Sequence, residues 1–302
     1  MRQNFVLVHI HRQIFPKYIY TCIEQLRLTN QEAEIYLAFF SSCDDVDYDR
    51  LKVCDCHLID LKRQLWSMTH FRFKLKNRGI FYTERFYVLY EIMKQYKLSN
   101  VIHIENDVMV YMDINKIMPV LREKYDLGFV RESDKICIAA FVYIKNAAFL
   151  KPLCKYFLTA EDVNDMVGIS VYGYRARLRY LPVIGKDYMN KEDMKNSEAE
   201  WGGTNTKDPS VYCENVEELQ CIFDGAAYGQ YVGGVDTRGK GKPEDTIGVI
   251  NKVFCHSAGK CKIVWEFVDG LRVPFYVYGE DKLPIVNLHI HSKQLEKYRS
   301  DI

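Results

Sequence analysis

Residues 101–111 read VIHIENDVMVY, and this stretch is the most informative part of the sequence. Its apolar run predicts a strand buried on both faces. Glu105 and Asp107 interrupt the run, and an ionised carboxylate is costly to bury unless it is paired or binds a metal. Residues i and i+2 of an extended segment point to the same side, so the two carboxylates can converge on one cation at a strand end. The alternative is a solvated turn, for which Asn106-Asp107 is suitable chemistry.

The pattern of apolar residues around an acidic-x-Asp tripeptide resembles the DxD motif of GT-A nucleotide-sugar glycosyltransferases. In that family the motif holds Mn2+ or Mg2+ against the donor diphosphate. This chain departs from the pattern by having Glu105 at the first acidic position, which is still an oxygen ligand. The resemblance implies an α/β fold of GT-A type, a single domain over residues 1–302 with a mixed, mostly parallel sheet flanked by helices. It assigns nucleotide binding to residues 1–110 and acceptor binding to residues 111–302.

Composition fits an ordinary enzyme. The 302 residues are 48% hydrophobic and 27% charged, which allows a sizeable core. A net charge of +1 gives no general attraction to nucleic acid or to an anionic membrane. The apolar run near the N-terminus is too short for a signal peptide or a membrane span. The 10 cysteines have no metal-binding spacing, so we expect reduced thiols and a cytoplasmic location.

Periodicity places further elements along the chain. Strands at 5–10 and 33–40 flank a helix that follows Pro16, which predicts a parallel pair with a right-handed crossover. The other predicted elements are helices at 81–97, 115–124 and 146–158, strands at 127–131 and 137–144, a long loop at 185–220, a strand-rich tail from 261, and a final helix from Lys293.

The C-terminal stretch IVNLHIHSK, residues 285–293, places His289 and His291 on one face of a strand. Two histidines in such a position are often only a surface feature. In GT-A enzymes, however, a histidine near the C-terminus completes the metal site and a nearby lysine contacts the diphosphate. The resemblance therefore implies His289 as a ligand, with His291 as the alternative, and Lys293 as a donor-binding residue. Imidazole with two carboxylates suits Mn2+ better than Mg2+.

Arg85 lies in the segment YTERF, which opens the helix before the DxD-like strand. One interpretation is a solvated helix start, in which Glu84 complements the helix dipole. The other is that Arg85 clamps a phosphate or pairs with a carboxylate of the active site. YTERF together with HIENDVMVY resembles glycosyltransferases from bacterial polysaccharide loci and large DNA (algal) viruses. That resemblance implies that Arg85 and Glu105 help to bind the nucleotide sugar.

Asp224 opens the string FDGAAYGQYVGG, residues 223–234. One interpretation is a capped short helix, with Asp224 at the N-cap and Gly233-Gly234 at the end. The other makes Asp224 the catalytic base, since a carboxylate held at a helix N-terminus stays ionised and rigid. The string resembles the same bacterial and viral set. Further candidates for the base are Asp236, Glu244 and Asp245.

The resemblance implies a metal-dependent glycosyltransferase that moves a sugar from a UDP-sugar, UDP-xylose or UDP-glucose, to a hydroxyl of a glycan acceptor with inversion. The expected cofactor is Mn2+ or Mg2+. Two alternatives stay open. A sugar-nucleotide nucleotidyltransferase uses similar carboxylate–metal chemistry, although its usual glycine-rich N-terminal loop is missing from MRQNFVLVHIHRQIF. A non-catalytic sugar-binding homologue would keep the fold and could lose the metal site.

Overall fold

The computed structural model of the protein describes residues 3–11, 13–62, 80–133, 136–160, 164–186, 209–233 and 262–302. Its strands are β1 (Asn4–Val8), β2 (Glu34–Phe39), β3 (Cys56–Asp60), β4 (Ser99–Ile104), β5 (Val108–Val110), β6 (Leu127–Ser133), β7 (Ile136–Asn146), β8 (Tyr180–Leu181), β9 (Lys262–Val268), β10 (Leu271–Tyr278), β11 (Asp281–Pro284) and β12 (Asn287–His289).

Seven of these strands form the central sheet, in the order β3-β2-β1-β4-β7-β6-β8. The first four in that order are parallel to one another, β7 is antiparallel to both of its neighbours, and β8 is parallel to β6. The predicted α/β class with a mixed, mostly parallel sheet is therefore confirmed. The strands β9, β10 and β11 form a separate antiparallel sheet, and β12 pairs with β5.

The helices are α1 (Tyr18–Thr29), α2 (Tyr48–Val53), α3 (Ile80–Gln95), α4 (Met118–Lys124), α5 (Ala147–Thr159), α6 (Asp165–Ala176), α7 (Val216–Leu219) and α8 (Ala227–Gly233). The buried core of apolar side chains combines strand residues such as Phe5 and Phe141 with helix residues such as Ile19 and Phe86. The sheet is thus packed between helices, as parallel strands require. Where the chain is described, no helix is both long enough and apolar enough to cross a membrane.

Most predicted elements are present, within a few residues of their expected bounds. The final helix is wrong: the chain after Lys293 makes only a short 3-10 turn, Leu295–Tyr298. The expected loop at 185–220 falls largely on residues 187–208, which lie outside the described part, and its end contains a second 3-10 turn and α7. Prediction missed β3, an edge strand with several exposed side chains, because such a strand has no apolar run to reveal it.

Helix α6 was also missed, and it contributes to the site described below. Glycines at 168 and 173 weaken its helical pattern. Gly173 is needed there, since a Cβ atom at this position would lie 2.6 Å from the hydroxyl oxygen of Tyr180. Close packing of α6 against the sheet thus requires glycine at a helical position. Glycine weakens the sequence pattern from which a helix is predicted.

The strands β1 and β4 are neighbours and parallel, so their carboxyl ends meet at one edge of the sheet. His9 follows β1 and Glu105 follows β4. In open α/β sheets, ligands bind in the crevice outside the carboxyl ends of the strands. The DxD-like segment therefore lies where this architecture places a ligand.

Candidate active site

Glu105 and Asp107 form a tight turn between β4 and β5. The amide of Glu105 donates to the carbonyl of Ala140 at 3.1 Å, and the amide of Val108 donates back to the carbonyl of Glu105 at 3.2 Å. The amide group of Asn106 donates to the carbonyl of Val8 at 3.3 Å, which ties the turn to β1. Asp107 is only 6% exposed, so the alternative of a solvated turn does not describe this segment.

Strand β12 brings His289 to the two carboxylates. His289 pairs with Val108, and the amide of Ile290 donates to the carbonyl of Asp107 at 2.9 Å. The Nε2 atom of His289 lies 3.2 Å from Oδ2 of Asp107 and 3.3 Å from Oε2 of Glu105. Ligand atoms of the three side chains all lie within 4.8 Å of one another. The C-terminal strand thus completes a group whose other members lie in the first half of the chain.

This group fits a divalent cation. Adjacent ligands of an octahedral ion held at about 2.1 Å are about 3 Å apart, and the two contacts of His289 are close to that separation. Two carboxylate oxygens with one imidazole nitrogen form a donor set that favours Mn2+ over Mg2+. Glu105, Asp107 and His289 could therefore hold the ion, with room for ligands from a substrate.

Charges in the group reinforce one another. Burial disfavours the imidazolium of His289, but Asp107 and Glu105 outweigh it and raise the pKa of His289 to about 9. Burial also disfavours the Glu105 carboxylate, yet Arg85 and His289 lower its pKa to about 2. The pKa of Asp107 is lowered too, since His289 and Lys293 outweigh its burial. Near neutral pH the carboxylates are ionised, and a cation has to displace a proton from His289.

His291 lies behind His289 and outside the group that could hold a metal. Its Nδ1 atom is 2.7 Å from the amide nitrogen of Gln230, and its Nε2 atom is 3.3 Å from Nδ1 of His289. Burial and the neighbouring His289 lower the pKa of His291 to about 3, so the ring is neutral. The prediction offered His289 as the ligand, with His291 as the alternative. The described geometry brings only His289 together with the carboxylates and places His291 as its support.

Lys293 reaches the carboxylates from the end of the same segment. Its ammonium group forms an ion pair with Oδ2 of Asp107 and lies 5.7 Å from the centre of the Tyr18 ring. The backbone of Lys293 has a φ of 62°, in the left-handed region that a lysine rarely adopts. This turn directs the side chain back toward Asp107, where it can meet an anionic ligand of the same cation.

Arg85 is buried, contrary to the solvated helix start that was one of the two interpretations. Its guanidinium pairs with Glu105 and with Asp165, and its Nε donates to the carbonyl of Tyr82 at 2.9 Å. The two carboxylates outweigh burial and raise the pKa of Arg85 further. Of the two roles predicted for it, pairing with a carboxylate of the site is the one its contacts display. Arg85 contacts Oε1 of Glu105, whereas His289 contacts Oε2.

Asp224 caps α8, as one of its two interpretations predicts. Its Oδ1 accepts from the amide of Tyr228 at 2.8 Å, and its Oδ2 accepts from the amides of Gly229 and His289, both at 2.8 Å. The side chain has no exposed surface. Burial raises the pKa of Asp224, although these hydrogen bonds counteract it. Asp224 thereby fastens α8 to β12 and fixes the backbone of His289. Its role as a base stays a prediction, and Asp236, Glu244 and Asp245 lie outside the described residues.

A cleft of about 500 Å3 opens in front of these residues, which is within the usual range for a small-molecule site. Arg85, Glu105, Asp107, His289, His291 and Lys293 all line it. Sequence reasoning missed other lining residues, namely His9, His11, Tyr18, Asn164 and Asp165. The alternation of His9 and His11 just beyond a predicted strand was a usable signal. Asp165 gave none, because the helix that carries it was not predicted.

No protein-family model matches the sequence, and no curated protein matches it. Among solved structures, similarity is found to mouse xyloside xylosyltransferase 1, with 8% identity over 60% of this chain and 84% of that one and a TM-score of 0.41. The glycosyltransferase GlyE of Streptococcus pneumoniae has 14% identity over 72% and 53%, with a TM-score of 0.40. A cytidylyltransferase of Leptospira borgpetersenii has 7% identity over 61% and 76%, with a TM-score of 0.37. Two of these three are glycosyltransferases, in line with the predicted resemblance, and at such TM-scores the likeness carries no argument about activity.

Proposed function

We propose that this protein is a metal-dependent glycosyltransferase. It takes a sugar from a UDP-sugar and passes it to a hydroxyl of a glycan acceptor. One observation carries the proposal. Glu105, Asp107 and His289 converge within 4.8 Å, beside Lys293, in a cleft at the carboxyl end of parallel strands. A binding protein for neutral sugars has no need of such a concentration of charge.

The residues around the group suit a diphosphate. Asp107 and Glu105 would hold Mn2+, or Mg2+ in its place, together with His289. When bound, the ion would neutralise negative charge that develops on the leaving diphosphate. Lys293 would donate to a phosphate oxygen, since its ammonium group pairs with Asp107, a proposed ligand of the same ion. Arg85 holds Glu105 in position.

Another part of the cleft lining suits a nucleobase. His9, His11 and Tyr18 line it with flat rings. Burial lowers the pKa of His9 to about 4, so its ring is neutral and its Nε2–H donates to the carbonyl of Ile14 at 2.8 Å. Neutral flat rings can stack on a base without repelling it, and stacking tolerates many bases. Because stacking tolerates many bases, the proposed preference for UDP is tested by comparing its binding with that of other nucleotides.

Transfer with inversion needs a base that removes the proton of the acceptor hydroxyl. Asp224 is the candidate from sequence. Asp165 is a second candidate, since it lines the cleft whereas Asp224 is enclosed by backbone amides. Both are proposals, and their variants separate them.

The alternative function is a sugar-nucleotide nucleotidyltransferase, and its substrates distinguish it. That enzyme would bind a nucleoside triphosphate and release inorganic pyrophosphate, whereas the proposed transferase would release UDP. A non-catalytic sugar-binding protein would release neither.

The test begins with thermal unfolding in the presence of UDP, with and without Mn2+. Ligand at 100 times its dissociation constant adds ~2.7 kcal/mol to the free energy of unfolding. We expect UDP to raise the melting temperature only when Mn2+ is present. A panel of UDP-sugars, including UDP-xylose and UDP-glucose, is then screened for UDP release with glycan acceptors. If UDP has no effect in either condition and no sugar nucleotide is turned over, the proposal is wrong.

A further inference from the structure

Glu132 is a buried carboxyl group that none of the predicted roles includes. It lies on β6 and is 1% exposed. Its Oε1 accepts from the amide of Gly225 at 3.0 Å and from the amide of Ala226 at 3.2 Å. Within the described part of the chain, its Oε2 has no hydrogen-bond partner. Because an unsatisfied buried polar atom is destabilising, Glu132 calls for an explanation beyond packing.

The backbone at Gly225 lies close against this carboxyl group. A Cβ atom at position 225 would lie 2.2 Å from Oε1 of Glu132, which is too close for any real contact. Glycine at this position therefore allows the carboxyl oxygen to reach two successive backbone amides. The result is a pair of hydrogen bonds that joins β6 to the two residues directly before α8.

The same backbone segment holds His289. The carbonyl of Gly225 accepts a hydrogen bond from Nδ1 of His289 at 2.6 Å. This bond keeps the proton on Nδ1 and directs Nε2 toward Asp107 and Glu105. Histidine ligands of metals commonly have such a partner on the second ring nitrogen, and its loss typically weakens metal binding.

We propose that Glu132 is a positioning residue for the cation site: by holding the amides of Gly225 and Ala226, it fixes the carbonyl of Gly225 and, through it, the ring of His289. The inference rests on the proposed function, since it assigns Glu132 to the same metal group. Glu132 itself touches neither the cation nor the substrate. Its contribution passes through one peptide segment.

The ionisation of Glu132 decides the choice of variant. Burial, and next the neighbouring Asp224, raise the pKa of Glu132 to about 8, against the two amides that lower it. Near neutral pH the group is largely a neutral acid. Glutamine has the same shape and no charge, and its carbonyl oxygen can accept both amides. Alanine removes the acceptor altogether.

The experiment measures the dissociation constant of Mn2+ alone by electron paramagnetic resonance, without substrate or turnover. We expect Glu132→Ala to weaken Mn2+ binding by ~10- to 100-fold and Glu132→Gln to stay near the parent. The matched control is Glu214→Ala, which removes another carboxylate that accepts a backbone amide, that of Tyr180 at 3.4 Å. Glu214 is not among the cleft-lining residues, and we expect its variant to bind Mn2+ as the parent does.

A second variant keeps the test valid if Glu132→Ala fails to fold. Gly225→Ala introduces a Cβ atom against Oε1 of Glu132 and should weaken Mn2+ binding in a similar way. Where Glu132→Ala does fold, the double variant should be little worse than Glu132→Ala if both act through the same contact, so the effects will not add. Additive effects would mean that Gly225 acts independently of Glu132, and would overturn the inference.

Two failures can be told apart. If the parent chain binds Mn2+ and Glu132→Ala binds it equally tightly, the positioning role is overturned and the metal site stands. If the parent chain does not bind Mn2+, the metal site of the proposed function is overturned, and the positioning role with it. Equal losses in Glu132→Ala and Glu132→Gln also contradict the proposal, because the amide oxygen of glutamine should restore the contact.

Discussion

The Nε2 atom of His289 lies 3.2 Å from Oδ2 of Asp107, although the two residues lie in opposite halves of the chain. The contact exists because β12 pairs with β5 directly after the turn that carries Asp107. Neither residue is a convincing ligand by itself, since lone histidines and turn aspartates are common. Because they meet inside a cleft, the two weak signals together indicate one candidate metal site.

Asp107→Asn should weaken Mn2+ binding by more than the ~10- to 100-fold typical of residues behind the ligands, because it removes a charged ligand. The fold should persist, since asparagine keeps the shape of the side chain. Asp126→Asn is the control: Asp126 is an exposed carboxylate paired with Lys145 and should not affect Mn2+. Titration by electron paramagnetic resonance measures both variants. Parental Mn2+ affinity in Asp107→Asn would contradict the ligand assignment.

His289→Ala and His291→Ala should differ in their effect on Mn2+ affinity. Only His289 directs a ring nitrogen to the carboxylates, whereas His291 is held between Gln230 and His289. We expect a large loss for His289→Ala and a smaller one for His291→Ala. Isothermal titration with Mn2+ measures the two losses. A larger loss in His291→Ala would reverse the assignment.

Mn2+ affinity should rise with pH up to about pH 9. The pKa of His289 is raised to about 9, so below that pH the ring carries a proton that the metal must displace. Release of one proton corresponds to about a tenfold gain in affinity per pH unit below the pKa. Titrations at pH 7 and pH 8 measure the slope. In His289→Ala the slope should largely disappear, and a parent affinity independent of pH would count against His289 as a ligand.

Removing Arg85 should lower the free energy of unfolding of the protein. We expect this loss of stability to be the main effect, ahead of any direct loss of nucleotide affinity. Arg85→Ala leaves the buried carboxylates of Glu105 and Asp165 without their shared partner. Breaking a buried ion pair in this way costs ~3–5 kcal/mol. Denaturant unfolding measures the loss. Arg50→Ala, at a more exposed ion pair with Glu24, is the control and should cost less. Equal losses in the free energy of unfolding would show that the burial of Arg85 does not strengthen its contribution to stability.

Sequence reasoning found the residues of the metal group and missed the residues that hold them. Glu105 and Asp107 are visible because charge inside an apolar run is a strong signal. His289 and Lys293 follow from the resemblance and from strand alternation. Glu132 could not be predicted, since a glutamate near the end of a strand is usually solvated. Only the fold shows that it accepts hydrogen bonds from the amides of Gly225 and Ala226. Asp165 is hidden in the same way, because its partner Arg85 lies on another helix.

The last prediction concerns the base. A base must come within hydrogen-bond reach of the acceptor hydroxyl, directly or through one water. Asp165 lines the cleft and pairs through Oδ2 with Arg85, whereas both oxygens of Asp224 are occupied by three backbone amides. We therefore expect Asp165→Asn to bind UDP with Mn2+ and to lose transfer by ~10²- to 10⁴-fold.

Asp224→Asn should behave differently, because the amide group of asparagine turns a donor toward at least one backbone amide that Asp224 accepts. An unsatisfied buried donor costs ~1–3 kcal/mol, so this variant should unfold at lower temperature and lose transfer only as far as its fold and the backbone of His289 are disturbed. Unfolding curves, UDP binding with Mn2+ and transfer rates, measured on both variants, separate the two roles. If Asp224→Asn is as stable as the parent, binds UDP and is inactive, the base is Asp224, and Asp165 serves only to hold Arg85. If the product keeps the anomeric configuration of the donor, the transfer is retaining and neither carboxylate acts as an inverting base.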